Sequence, residues 1–440
     1  MVFKKLTFTR PLTHSLTHYL YTMLQPALVT LYLLLGLWLL RRTGRSMGVP
    51  VWWQQGAFIY KILLGFANYF IWMHIIGHGD SLRYVHDSLV VYNSLFDQPG
   101  YFLELVTRTS LENVPPHLIP YQKSLFIEWH VPEYNMVRLL AILNVFTAGN
   151  AWGNIVLISA AVMAAQLWLY RILTQQFSLP DCRQKLLFAV SFLLPSTIFW
   201  SSGLLKEGPV LALLSLIVGS GLRFYHAAGT DRWKYLLLMF AATTVLYAIR
   251  DYVAILLVVN GLGIWLVSLH PAPRKVPLLS HSLYIMVCTG ILIGMAQAPS
   301  APDLFKHLRN EQTYFTVSAP DPDYSFQTLD GTPGDVFRKV PYTINNILFR
   351  PNILHSNSAF RIYQSAELLL IWIAIALLLV RNRSSIRWSP PSAALLFLFL
   401  ELLFLFGLMV TDADTLSRYR SIPIMGLLCL IFILPSQKSA

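Results

Sequence analysis

Long apolar runs separated by short polar breaks dominate the chain. A helix needs roughly 20 mostly apolar residues to cross a bilayer. Runs of that kind lie near residues 20–40, 56–76, 151–170, 186–200, 207–223, 234–249, 253–269, 278–298, 365–380, 391–410 and 421–435. The pattern predicts an all-α, polytopic transmembrane helix bundle of about 11 spans. The run at 186–200 is short and carries Pro195, so it reads as tilted, half-inserted or prolonged toward residue 203. Two connections are long: residues 77–150, expected to hold interfacial helices, and residues 299–364. No internal repeat or low-complexity stretch divides the chain, so residues 1–440 are expected to form one membrane domain.

Composition fits that reading. Of 440 residues, 55% are hydrophobic and 12% charged, which excludes an ordinary water-soluble globule. The net charge of +12 would suit nucleic acid, but Lys and Arg come in short groups between apolar runs, so no nucleic-acid partner is expected. The cysteines Cys182, Cys288 and Cys429 have no paired spacing and read as packing residues.

The charges also give a topology. Alternate connections carry Arg41, Arg42 and Arg45; Arg171, Arg183 and Lys185; Arg223, Arg232 and Lys234; Arg274 and Lys275; Arg381, Arg383 and Arg387. The positive-inside rule puts these in the cytoplasm and the other connections outside. The C-terminus then lies inside and the N-terminus outside, against the pull of Lys4, Lys5 and Arg10. The first run lacks a small-residue cleavage site and reads as a retained helix. Lys61, near the start of the second run, is expected to snorkel to the cytoplasmic interface.

Four outer segments gather the chemistry. In the first, Gly79-Asp80-Ser81 follows an apolar run; Asp80 reads as an N-cap, or as a carboxylate that takes a proton or holds a divalent metal. Tyr84 and Asp87 follow at helical spacing on the same face. In the second, Lys206 and Glu207 stand where a helix re-enters lipid, either as a phosphate cation with its orienting carboxylate or as an ion pair. In the third, Arg250 and Asp251 occupy a very short turn; the guanidinium suits phosphate, or the two charges neutralise each other. The fourth, Ser417-Arg418-Tyr419-Arg420, places two arginines outside, where a phosphate or the nearby Asp412 and Asp414 would answer them. Glu401 is the one carboxylate expected mid-span, with hydrogen bonding to a neighbouring helix as its plainest role. The turn-rich Pro320-Asp321-Pro322-Asp323-Tyr324 and the stretch to Asp335 read as turns or as a lid.

No phosphate loop, HExxH, GxSxG or CxxC is present, which argues against nucleotide hydrolysis and zinc proteolysis. Taken in order, Gly79-Asp80-Ser81 with Tyr84, the turn from Phe199 through Lys206 and Glu207, and Ser417-Arg418-Tyr419-Arg420 with Pro423 resemble the GT-C glycosyltransferases. The resemblance implies an inverting enzyme that uses a polyprenyl-phosphate-linked sugar donor and a glycan or lipid acceptor. It carries the general-base or metal-ligand role to Asp80, with Asp87 as the second carboxylate. No carboxylate adjoins Asp80 directly, a departure from the commonest pattern that leaves a divalent metal (Mg or Mn) an open question. The donor phosphate would meet Lys206, Arg250, Arg418 and Arg420, supported by Tyr84, Glu207, Asp251 and Tyr419. Competing readings are a surface-polysaccharide polymerase or ligase, a lipid-linked-glycan flippase or transporter, and a non-catalytic scaffold. Compact loops point to a bacterial inner membrane.

Overall fold

A computed structural model describes residues 15–44, 49–226, 231–269, 275–295, 304–318, 327–355, 358–383 and 386–434. Lys4, Lys5, Arg10, Arg45, Arg274 and the Pro320–Tyr324 stretch lie outside the described residues.

Among the described residues all regular structure is helical. In lipid the backbone must satisfy its own N–H and C=O groups, and for apolar runs of this length the helix does so. The chain enters through α1 (Ser15–Thr43) and α2 (Val51–Phe70), which ends in a wider π-helical turn, Ile71–Ile76. The first long connection then builds α3 (Asp80–Asp97), α4 (Pro99–Thr107), α5 (Ile119–Ser124) and α6 (Tyr134–Thr147). Next come α7 (Ala151–Gln176), α8 (Asp181–Leu193), α9 (Pro195–Ser202), α10 (Glu207–His226), α11 (Asp231–Ile249), α12 (Asp251–Ser268) and α13 (Pro277–Met295). The second long connection carries α14 (Leu304–Ser318), α15 (Pro333–Arg338) and α16 (Val340–Phe349). The last three helices are α17 (Ala359–Asn382), α18 (Pro390–Met409) and α19 (Ala413–Ile433).

Eight of these helices are long and apolar enough to cross a membrane, nine if the bent pair α8 and α9 counts as one span. Pro195 opens α9 at the break, and the two halves meet at 45°. The other two expected spans are helical as well. However, α11 opens with Asp231, Arg232 and Lys234, and the apolar part of α13 reaches only from Pro277 to Ile291.

One apolar core runs from the first connection into the bundle, joining Tyr84, Leu105 and Trp129 to Ile155, Leu214 and Leu246. The connection is therefore a packed cap and not a free loop. The second connection is fixed to the end of α18: Gln312 donates to the Leu408 carbonyl (3.0 Å) and Asn346 to the Gly407 carbonyl (2.8 Å). Gly407 is what lets α16 approach, because a Cβ there would come within 2.9 Å of the Thr343 carbonyl.

Two sequence expectations are corrected by this packing. Because α2 begins at Val51, five residues ahead of the expected start, Lys61 lies ten residues inside the helix. It does not snorkel: it is 1% exposed and donates to Ser201 Oγ at 2.8 Å. Asp87 is also fully buried, and it is engaged away from any open surface. The Phe126 N–H donates to both its oxygens (3.0 and 3.1 Å), the Ile127 N–H to Oδ2 (2.9 Å), and His86 Nδ1 lies 2.9 Å from Oδ1.

Asp87 thus pins the chain after α5 to α3. Hydrogen bonds to a charged acceptor contribute about 1.5–3 kcal/mol each, and an amide at this site sets an N–H₂ against main-chain N–H groups. Asp87→Asn is expected to lower stability by about 2–3 kcal/mol, read as the thermal midpoint of the detergent-solubilised protein. An unchanged midpoint would remove the anchoring role.

A candidate site at one end of the bundle

The four outer segments, far apart in the chain, meet at the same end of the bundle. Each side chain is delivered by the start of a helix. Gly77 and Gly79, with φ of +74° and +129°, turn the chain sharply from the π-helical turn into α3. Gly79 is the N-cap, so Asp80 sits in the first turn and does not cap α3 as expected. Its half-exposed carboxylate instead accepts from Arg418 Nη1 at 3.1 Å.

Arg418 lies in the second turn of α19, behind Asp412, whose carboxylate caps that helix through the Thr415 N–H (2.7 Å). Its Nε stands 3.3 Å from Glu207 Oε1, an ionic contact that is not a hydrogen bond. Glu207 opens α10, is 1% exposed, and also takes Arg250 Nη2 at 2.5 Å. The other oxygen of Glu207 is buried without a hydrogen-bond partner. Lys206 turns the opposite way and donates to Glu133 at 2.9 Å. Three cations (Lys206, Arg250, Arg418) and three carboxylates (Asp80, Glu133, Glu207) form one formally neutral cluster.

Aromatic rings hold the like charges side by side. The Tyr419 ring lies 4.1 Å from the Arg250 guanidinium and 4.9 Å from that of Arg418. A ring quadrupole between two cations offsets their repulsion. Behind it Tyr419 packs against Phe406 (5.3 Å) and against Phe315 of α14 (6.0 Å), so the second connection reaches the cluster's edge. Tyr84 is buried beneath Asp80; burial and the neighbouring carboxylate push its phenol well above the ordinary range, so it stays a neutral hydroxyl.

Partial burial opposes ionisation of Asp80, but the Arg418 guanidinium, with Lys206 and Arg83 farther out, outweighs it and holds the carboxyl below its usual value. Burial likewise opposes ionisation of Glu133, and Lys206 overcomes it in the same direction. Asp80 is therefore a carboxylate at neutral pH, facing a cation and partly open.

Other expected members are placed elsewhere. Arg420 is buried and donates to the Arg350 carbonyl and to Ser417 Oγ, apart from Arg418. Asp251 accepts from the Tyr252 N–H (2.8 Å) and does not neutralise Arg250. Asp414 pairs with Arg361 at 3.3 Å. Asp87 is held by the main chain, and the carboxylate that feels the charge of Asp80 is Glu133; Arg418 engages Asp80 and Lys206 engages Glu133. These residues do not fit a divalent metal at Asp80. Glu133 and Arg83 were not singled out by the sequence. Glu133 is one of several acidic residues in a long polar connection, and nothing in its spacing distinguishes it.

Glu207 neutralises two buried guanidinium groups, whereas Asp80 meets one of them at the rim. Removing one member of a buried pair costs about 3–5 kcal/mol, and an exposed pair contributes about 1 kcal/mol or less. Glu207→Gln should therefore lower the thermal midpoint far more than Asp80→Asn; equal losses would contradict this division. No family model, curated protein or solved structure matches the chain.

Proposed function

We propose that the chain is a GT-C-type glycosyltransferase with about 11 spans. It would move a sugar from a polyprenyl-phosphate donor to a glycan or lipid acceptor outside the cytoplasm of a bacterial inner membrane. The observation that carries the reading is the contact of Asp80, an ionised and partly open carboxylate, with Arg418 at the mouth of a lipid-embedded bundle. A proton acceptor and a phosphate-binding cation are the two groups that a displacement at an anomeric carbon with a phosphate leaving group requires.

In this reading the donor phosphate displaces Asp80 from Arg418. Arg418 then stabilises the negative charge that grows on the departing phosphate, and Arg250 and Lys206 supply the surrounding positive field. Freed from its cation, Asp80 takes the proton from the acceptor hydroxyl as that oxygen attacks the anomeric carbon. A single displacement inverts that carbon. Glu207 and Tyr419 keep the two arginines in place, and Tyr84 sits below as a neutral donor. No step passes through a metal. A small apolar cavity of about 80 Å³ lies in the bundle. Ile422, Met425, Gly426 and Cys429 line it, on the α19 face that carries Arg418.

The self-neutralised cluster also suits a scaffold whose ion pairs only tie helices together, and the assay separates the two. Sugar transfer from a synthetic polyprenyl-phosphate donor is measured in proteoliposomes at matched folded yield. Asp80→Asn is expected to lose about a hundredfold or more in turnover while still binding donor; Arg418→Lys is expected to weaken donor binding. Unchanged turnover in Asp80→Asn would reject the general base. No transfer by the parent protein across a broad donor panel would favour the scaffold or a transporter.

The pH dependence has a definite sign. A carboxyl held below its usual value is in the base form above that value, and the base is lost only as pH falls through the lowered one. The free protein governs kcat/KM, so Asp80 gives no acid limb between about pH 5 and pH 7. A limb centred near about pH 6, absent in Asp80→Asn, would contradict the Arg418 contact.

A further inference from the structure

Away from the charge cluster, α12, α13 and α18 meet through three polar side chains inside the bundle. Asn260 Nδ2 donates to Glu401 Oε2 at 2.7 Å and to the Leu256 carbonyl at 2.9 Å, so both amide hydrogens are engaged. The carbonyl oxygen of Asn260 must then be the acceptor in its 2.9 Å contact with His281 Nε2. His281 is thereby fixed as the Nε2–H tautomer, with a lone pair on Nδ1. The ring is fully buried, and Nδ1 has no hydrogen-bond partner. A lone pair enclosed among apolar groups without a donor is the open position of the triad.

The surroundings are otherwise almost free of charge. Among the described residues no ion pair includes Glu401. The remaining titratable group turned toward it is Tyr284 of α13, whose hydroxyl donates to the Val259 carbonyl (2.9 Å) and which has Cys288 beside it. The His281 ring lies between Phe397 (5.4 Å) and Tyr284 (5.7 Å). From the other helices packed on α18, Ile347 of α16 meets Gly407 and Gly426 of α19 meets Phe399; Arg418 and Arg420 of α19 are engaged with the partners described above.

We propose that Glu401, Asn260 and His281 form a proton-binding relay inside the bilayer, with the hydrogen ion as its ligand. The hydrogen bonds all run one way, from His281 through Asn260 to Glu401. A proton arriving at Nδ1 makes the imidazole a cation and strengthens its Nε2–H donation. Asn260 in turn donates more strongly to Glu401, whose carboxyl gives up its own proton. One proton enters and one leaves, so the net charge of the triad is kept. His281 lies four residues from the start of α13, next to Lys275, while Glu401 lies eleven residues into α18. Because both bind the one Asn260 amide, at 2.9 and 2.7 Å, the triad lies at a single level inside the helices.

The test uses the full chain in proteoliposomes and the apolar reagent dicyclohexylcarbodiimide, which modifies a protonated carboxyl in lipid and spares an ionised one. Modification of Glu401 is followed by mass spectrometry between about pH 5 and pH 9. The expected result is strong labelling at the acid end, where His281 and Glu401 both hold protons, that declines as pH rises. His281→Gln, which has no ring nitrogen to protonate, moves the midpoint upward by about one pH unit. Asn260→Ala cuts the same link nearer to Glu401 and moves it in the same direction. No labelling of Glu401 at any pH in the parent protein would overturn the proposal, as would a midpoint that His281→Gln leaves unchanged. Neither result depends on sugar transfer.

Discussion

A guanidinium at a lipid boundary must be met by negative charge, and Arg418 is met twice. Its Nη1 reaches Asp80 on the cap and its Nε faces Glu207 at the start of α10. Through Glu207 it is joined to Arg250, the residue between α11 and α12. One side chain therefore fixes how α3, α10, α12 and α19 stand to one another at this end. Breaking that arrangement leaves a buried charge uncompensated, a larger penalty than the loss of any single apolar contact. The rest of the site is arranged around this constraint.

The two carboxylates that answer Arg418 are not equivalent. Glu207 is sealed by the bundle and committed to two cations, so it holds geometry. Asp80 is at the rim with its side chain 43% exposed, and there a competing anion is able to take its place. The packing of Tyr419 between the guanidiniums, with Phe315 behind it, closes the cluster on the side of the second connection. The open carboxylates of the cluster are Asp80 and Glu133, 43% and 44% exposed.

The helices were legible because hydropathy has a long period and no competing explanation in this composition. Within the described residues each expected run falls on helix, and the break at Pro195 is a 45° bend. Partners were far less legible. Lys206 beside Glu207, and Arg250 beside Asp251, suggested neighbours pairing along the chain; in each case the side chains diverge, and the cation finds a carboxylate 73 or 43 residues away. Adjacent residues on a helix point about 100° apart, so sequence neighbours at a helix start are poor ion-pair partners. Asp87 shares a helical face with Asp80, as its spacing required, yet the chain after α5 folds back and captures it. Periodicity states which face a residue occupies and says nothing of what will come to cover it. Glu401 was recognisable as an oddity, but Asn260, its partner on α12, is 141 residues upstream, and His281 of α13 is joined to it only through Asn260.

The burial of Lys61 bears on how the protein is made. Its ammonium donates to Ser201, 140 residues farther along the chain and on the bent half-helix α9. During synthesis α2 emerges and meets the membrane long before that hydroxyl exists. An ammonium without a partner is expensive in lipid, so α2 has no settled depth until α9 docks against it. Lys61 thus ties the seating of α2 to the docking of α9, which is made 140 residues later.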